Sequence, residues 1–207
     1  MNVNVVETFT SIQGEGGLTG ERMHFIRFGG CTVSECFLHP KQTGLCDTNW
    51  QQHSKRTVDS LCAEAVIIPG IHWVCITGGE PLAQSEALQE LVAALKHHGL
   101  LVMIQTSGTI PLPLNLDHAL VDYICVSPKT VPQFLRIARG SELKVVYRGQ
   151  ELAEIAEYQE ITDFDSYWLQ PLWGDLGCNM SATIDAVHAL KSGWRLSIQA
   201  HKVMGVK

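Results

Sequence analysis

Positive charge is scarce in this chain. Its 15 lysines and arginines face 21 aspartates and glutamates, a formal net charge of −6. A surface of that sign has no footprint for a long polyanion, so direct nucleic-acid binding is disfavoured. No uninterrupted apolar run reaches membrane-spanning length, so no membrane partner is expected. Met1 to Thr10 carry no basic stretch followed by an apolar one; a secretory signal is not expected there, and a cytoplasmic location is. There is no tract rich in proline, glycine and serine, no block of like charge and no internal repeat, so no segment reads as disordered. What is present is 207 residues, 45% of them hydrophobic, enough to bury a core; a single domain over residues 1–207 is expected.

A disulfide framework is also missing. The seven cysteines, Cys31, Cys36, Cys46, Cys62, Cys75, Cys125 and Cys178, are odd in number and unevenly spaced, whereas such frameworks favour even counts in shorter chains. In a reducing compartment, clustered cysteines are more often metal ligands and scattered ones more often core. Cys75 and Cys125, inside apolar runs, read as core; Cys62 and Cys178 read as structural or exposed.

From about residue 70 onward, short β-like runs alternate with helical stretches. Strands are predicted at 73–77, 101–106, 123–126, 143–146, 167–169 and 195–198, with another at 24–28. Helices are predicted at 85–98, where Leu88, Leu91, Val92 and Leu95 share a face before Gly99, at 151–158, and at 182–190 with Ser181 as the N-cap. Apolar strands alternating with helices imply a parallel sheet with helices outside. A full eight-unit barrel typically needs about 250 residues, so an incomplete TIM-like barrel of roughly six parallel strands fits this α/β pattern better. In such folds the loops at the strand C-termini build the site. Residues 1–23 read as a separate leader. Residues 30–72 read as a long irregular insertion, with the cysteine loop at 29–50.

Cys31, Cys36 and Cys46 lie in that loop after Gly29-Gly30. Three thiolates suit three irons of a cubane cluster, leaving the fourth iron open for an exogenous ligand. A zinc site, which usually takes four ligands with paired spacing, and three unrelated cysteines are the other readings of the loop alone. Thr77-Gly78-Gly79-Glu80-Pro81 follows a buried strand, and its glycines let the backbone approach a ligand closely.

Together these residues resemble the 7-carboxy-7-deazaguanine synthases, radical S-adenosylmethionine (SAM) enzymes of the deazapurine (queuosine) pathway. Residues 7–16, ETFTSIQGEG, are similar to the family's leader. Phe25-Ile26-Arg27-Phe28-Gly29-Gly30-Cys31 and Cys46-Asp47-Thr48 resemble the approaches to its first and last cluster cysteines. Thr77 to Pro81, Thr106-Ser107-Gly108, Ser127-Pro128-Lys129, Glu142-Leu143-Lys144, Gln170-Pro171 and Gln199-Ala200-His201-Lys202 continue the likeness in order. The resemblance implies a partial barrel of the radical SAM type and a [4Fe–4S] cluster on Cys31, Cys36 and Cys46. It implies substrate contacts from Ile12, Gln13, Gly14, Glu15, Arg27, Thr77 and Lys207, the guanidinium of Arg27 pairing with a substrate carboxylate. It implies SAM contacts from Gly79, Ser127, Pro128, Lys129, Gln170, Pro171, Leu172 and Trp173, and a Mg²⁺ ligand in Thr48. The implied reaction is a lyase step that turns 6-carboxy-5,6,7,8-tetrahydropterin into 7-carboxy-7-deazaguanine with loss of ammonia. A flavodoxin-type electron donor and a homodimer are implied as partners. A different radical SAM activating enzyme, and a non-catalytic cluster- or zinc-binding paralogue, are the competing readings.

Two departures stand out. The usual radical SAM spacing is C-x3-C-x2-C, whereas this chain has C-x4-C-x9-C, and Thr43 stands where a cysteine is usual. Gln105 precedes Thr106-Ser107-Gly108 where a glutamate is usual, which keeps hydrogen bonding but removes a charge.

Overall fold

A computed structural model describes the chain except residues 34, 35, 38–45, 47, 48, 115, 117–119, 175, 176, 191 and 192. Its centre is a nine-stranded sheet. In chain order the strands are β1 (Asn2–Ile12), β2 (Arg22–Phe28), β3 (Ser54–Thr57), β4 (Trp73–Gly78), β5 (Leu101–Thr106), β6 (Tyr123–Val126), β7 (Glu142–Tyr147), β8 (Tyr167–Pro171) and β9 (Trp194–Leu196). From β2 through β4, β5, β6, β7 and β8 to β9, each strand pairs in parallel with the next. Seven parallel strands therefore stand in sequential order, against roughly six expected. Parallel neighbours need crossover connections, and sequential addition to one edge is how a barrel wall grows.

The helices α1 (Val58–Val66), α2 (Ser85–His97), α3 (Leu152–Glu160) and α4 (Met180–Ala189) supply crossovers. Successive side chains of a strand point to opposite faces, and this sorts the sheet residues into two cores. Ile26, Val74, Ile76, Val102, Ile104, Ile124, Val145 and Leu169 pack with Leu61, Leu88, Leu91, Ile155 and Ala186 of the helices. The alternate residues Met23, Phe25, Cys75, Met103 and Cys125 form a smaller core on the concave face. The same alternation carries Arg27, Thr77, Gln105, Ser127, Lys144 and Gln170 to that face, near the strand C-termini.

Three sequence expectations need correction. Residues 1–23 are not separate from the sheet: β1 runs antiparallel to β2, and Phe9 stacks on Phe25 with centroids 5.0 Å apart. The stretch 30–72 is not irregular throughout, because it holds β3, antiparallel to β1, and α1, capped by the Thr57 side chain accepting from the Ser60 amide. Helix α4 begins at Met180, so Ser181 lies inside it. Asn179 precedes it, its Oδ1 accepting from the Leu172 amide at 2.7 Å. No helix among the described residues is long and apolar enough to cross a membrane.

Candidate active site

The strand C-termini, the turn after β1 and the last residues of the chain enclose a cavity of about 290 Å³. Its wall includes Ile12, Gln13, Gly14, Glu15, Arg27, Thr77, Gly79, Ser127, Lys129, Gln170, Pro171, Leu172, Trp173 and Lys207, together with Cys31, Cys36 and Cys46. Pro128 does not line it. The turn after β6 turns Pro128 outward, to a second, smaller cavity beside Phe37 and Tyr158. Thr48 lies outside the described residues.

Residues 13–16, the turn after β1, enter the cavity through a buried network. Lys144 donates a short hydrogen bond to Glu15 Oε2, while Gln170 and Gln199 donate to Oε1 at 3.1 and 2.7 Å. Burial alone would raise the Glu15 carboxyl, but the Lys144 ammonium holds it down at about 2. Burial would likewise strip Lys144 of its proton, and Glu15 instead lifts its pKa above the ordinary value. One turn on, Glu142 accepts from the Gly17 amide and the Tyr123 hydroxyl, each at 2.8 Å. Gly16 has φ +65°, and a Cβ there would fall 2.3 Å from both Glu142 oxygens, so the tight approach requires glycine.

The glycine turn after β4 braces the start of the cysteine loop. The Gly79 amide donates to Phe28 O and the Glu80 amide to Gly30 O, at 3.2 and 3.0 Å. A Cβ on Gly79 would meet Gly30 O at 2.1 Å and Cys31 Cβ at 2.9 Å. Glu80 is fully buried and spends its carboxylate on protein groups. It accepts from the Leu82 amide at 3.1 Å, Thr106 Oγ1 at 2.7 Å and the Ser107 amide at 2.9 Å, besides a short bond from Ser107 Oγ. Its role is to tie the β4 turn to the β5 turn.

At the cavity mouth, Arg27 Nε donates to Glu7 Oε1 at 3.0 Å, and Lys207 Nζ donates to Glu7 Oε2. Two cations thus share one carboxylate at the cavity mouth. The Ser11 hydroxyl donates to Lys207 O at 2.6 Å, which places Lys207 over β1. Gln105 lines the same wall.

The residues present fit a cubane cluster. All three cysteines line one cavity, and Cys31 lies within electrostatic reach of the other two. Burial raises its thiol above 9.0, and Glu80, Cys36 and Cys46 add to the rise against a main-chain hydrogen bond from Val33. Among the described residues, no three His, Cys, Asp or Glu side chains gather closely enough for a single metal ion. A cubane, whose irons and sulfides fill the space between thiolates, does not need that gathering. Beside the thiols, Lys129 Nζ donates to Ser127 O and Oγ at 2.9 and 2.6 Å. Burial lowers the Lys129 ammonium, and Lys144 lowers it further.

Lys144, Gln199, Lys202, His201, Trp50 and Gln105 line the cavity although sequence reasoning gave them no definite role. The available signal was Lys144, a lysine within the apolar run of β7, which demands a buried anion.

A parallel incomplete barrel with three thiols, a glycine turn and a row of polar loops at its strand C-termini is the architecture of a radical SAM enzyme. No family model matches the chain. Its relatives include 7-carboxy-7-deazaguanine synthases. The protein of Synechocystis sp. is 37% identical over 98% of this chain and 93% of its own length. That of Bacteroides thetaiotaomicron is 36% identical over 97% of each. The crystal structure of QueE from Escherichia coli superposes with a TM-score of 0.73 and 26% identity, covering 97% of this chain and 95% of that one. The chain belongs to the 7-carboxy-7-deazaguanine synthase family.

Proposed function

We propose that this protein converts 6-carboxy-5,6,7,8-tetrahydropterin to 7-carboxy-7-deazaguanine with release of ammonia, and that the whole chain works as one catalytic unit. The observation that carries the reading is convergence. The turn after β1, three thiols, the Ser127–Lys129 turn and the loop after β8 all meet on one cavity of about 290 Å³.

Cys31, Cys36 and Cys46 would hold a [4Fe–4S] cluster. Bound together, cluster and SAM would supply one-electron radical chemistry at this cavity. The chain's own residues bind, orient and exclude water. Gly79 and residues 170–173 present main-chain groups to SAM from opposite walls, with Ser127 and Lys129 between them. Arg27 offers the guanidinium edge not used by Glu7 to the substrate carboxylate, as a planar fork suits. Gln13 and Gly14, held by the Glu15–Lys144 pair, reach the substrate from the turn after β1, with Ile12 and Thr77 beside them. Thr48 would contribute a hard oxygen to Mg²⁺. A flavodoxin-type electron donor and a homodimer belong to the same reading.

The test is turnover under anaerobic conditions. Reconstituted protein is given SAM, Mg²⁺, a chemical reductant and the carboxytetrahydropterin, and the deazaguanine and ammonia are measured. Equimolar formation of both, abolished in Cys31→Ala, supports the reading. SAM cleavage with the pterin left intact would defeat it.

A further inference from the structure

We propose that Phe37 is the positioning residue that sets Cys36 as the middle thiolate of the cluster. The proposal rests on the reading of Cys36 as a ligand. In a short C-x3-C-x2-C loop, chain length alone keeps the middle cysteine near its partners. Here nine residues separate Cys36 from Cys46, and sequence proximity no longer fixes the thiol. A longer loop costs little in closure entropy, so chain length alone does not set the middle position. Cys36 is nonetheless buried at 8% exposure and on the cavity wall.

The next residue supplies a hold from outside the cavity. The Phe37 amide donates to Lys129 O at 2.8 Å. Its ring lies under the Arg148 guanidinium, 3.7 Å from carbon to centroid, a close cation–π contact. Arg148 is itself fixed, donating to Glu154 Oε1 at 2.7 Å and, through its amide, to Gln150 Oε1 at 2.8 Å. Pro128, Val146 and Tyr158 line a small cavity together with Phe37 and Arg148. The Tyr158 hydroxyl donates to Thr130 O, tying that cavity's wall to the turn after β6. The turn that offers Lys129 to the main cavity therefore seats the neighbour of Cys36 on its other side. This accounts for Pro128 facing away from the cavity.

The ring should be indispensable and its chemistry conservative. Phe37→Ala, Phe37→Tyr, Arg148→Ala and Cys36→Ala are made in the full chain and reconstituted anaerobically. Iron per chain, the EPR spectrum of the reduced cluster with and without SAM, and thermal unfolding are recorded. Alkylation of Cys36 is also followed before iron is added. Phe37→Ala and Arg148→Ala are expected to lower bound iron and shift the EPR signal. Both should speed Cys36 alkylation by about tenfold, in keeping with the loss of one desolvated cation–π contact. Phe37→Tyr is expected to restore all three readouts.

If Phe37→Ala and Arg148→Ala unfold earlier yet keep full iron, an unchanged spectrum and a slow thiol, Phe37 is merely structural and the proposal is overturned. If Phe37→Ala does not fold, Arg148→Ala decides by the same readouts. If Cys36→Ala keeps the wild-type spectrum, Cys36 is no ligand and the proposal falls with that reading, an outcome separate from failure of the Phe37 variants alone.

Discussion

Lys144 shows how much of this site depends on single residues. Only 3% of its side chain is exposed, and its partner Glu15 is 17% exposed, so each would be a buried unpaired charge without the other. Removing one partner of such a pair costs about 3–5 kcal/mol. Lys144→Met is expected to lose stability of that order at neutral pH, measured by denaturant unfolding. The loss is tied to pH. The Glu15 carboxyl sits at about 2, below its ordinary 4.5. Its stabilisation is therefore complete above about pH 4.5 and disappears as pH falls toward 2. The gap between wild type and Lys144→Met should close across that window, and a gap unchanged down to pH 3 would contradict the pairing. Arg27 stands at the cavity mouth, where the proposed function gives it the substrate carboxylate. Arg27→Lys keeps the charge and loses the fork, a hydrogen bond to a charged group worth roughly 1.5–3 kcal/mol. KM for the pterin is expected to rise about 10- to 100-fold with a smaller change in kcat. A loss confined to kcat would place Arg27 away from the substrate's resting contacts.

The glycine turn after β4 braces the start of the cysteine loop. A methyl group on Gly79 would meet Gly30 O at 2.1 Å, and backbone on backbone cannot yield as a flexible side chain can. Gly79→Ala is expected to cost about 1–3 kcal/mol of overpacking strain. It should also reduce iron bound after reconstitution, because Gly30 and Cys31 must move. Full iron with a lowered unfolding midpoint would mean that the strain relaxes toward β5 instead. This turn was legible in the sequence, as were β4, β5 and β6, because buried parallel strands are short apolar runs ending in breakers. β1 was harder to read as a strand. Its interior residues Glu7, Thr8 and Thr10 are polar, and its pairing comes from β2 through partners such as Glu7 opposite Arg27. β3 reads SKRT, largely exposed at the sheet edge, where nothing apolar marks it. The three cysteines and the residues 13–16 announced the site. Lys144 and Gln199 stood in the resemblance without a role, because their partner lies more than a hundred residues away and only the fold brings it near. Pro128 sat in the right motif but on the wrong side of a turn, a distinction that needs backbone direction.

At the scale of the molecule, the cavity gathers residues from both ends of the sheet. Arg27 stands on β2 near one edge and Gln170 on β8 near the other. The Glu15 carboxylate, which takes hydrogen bonds from Gln170 and Gln199, already bridges the turn after β1 to the far strands. A ligand filling the cavity adds contacts between parts of the chain that come together only in the folded state, so its binding free energy should act as folding stability for the whole chain. At a SAM concentration a hundred times Kd, linkage supplies about 2.7 kcal/mol. In a chain of this length that corresponds to a rise in Tm of roughly 5–10 °C. The reconstituted protein is expected to show this rise. The same protein stripped of iron by a chelator is expected to show much less, because the cluster proposed on Cys31, Cys36 and Cys46 would then be missing from the SAM site. An equal rise with and without iron would mean that Gly79, Ser127 and residues 170–173 hold SAM unaided, and that the cluster contributes electrons but no affinity.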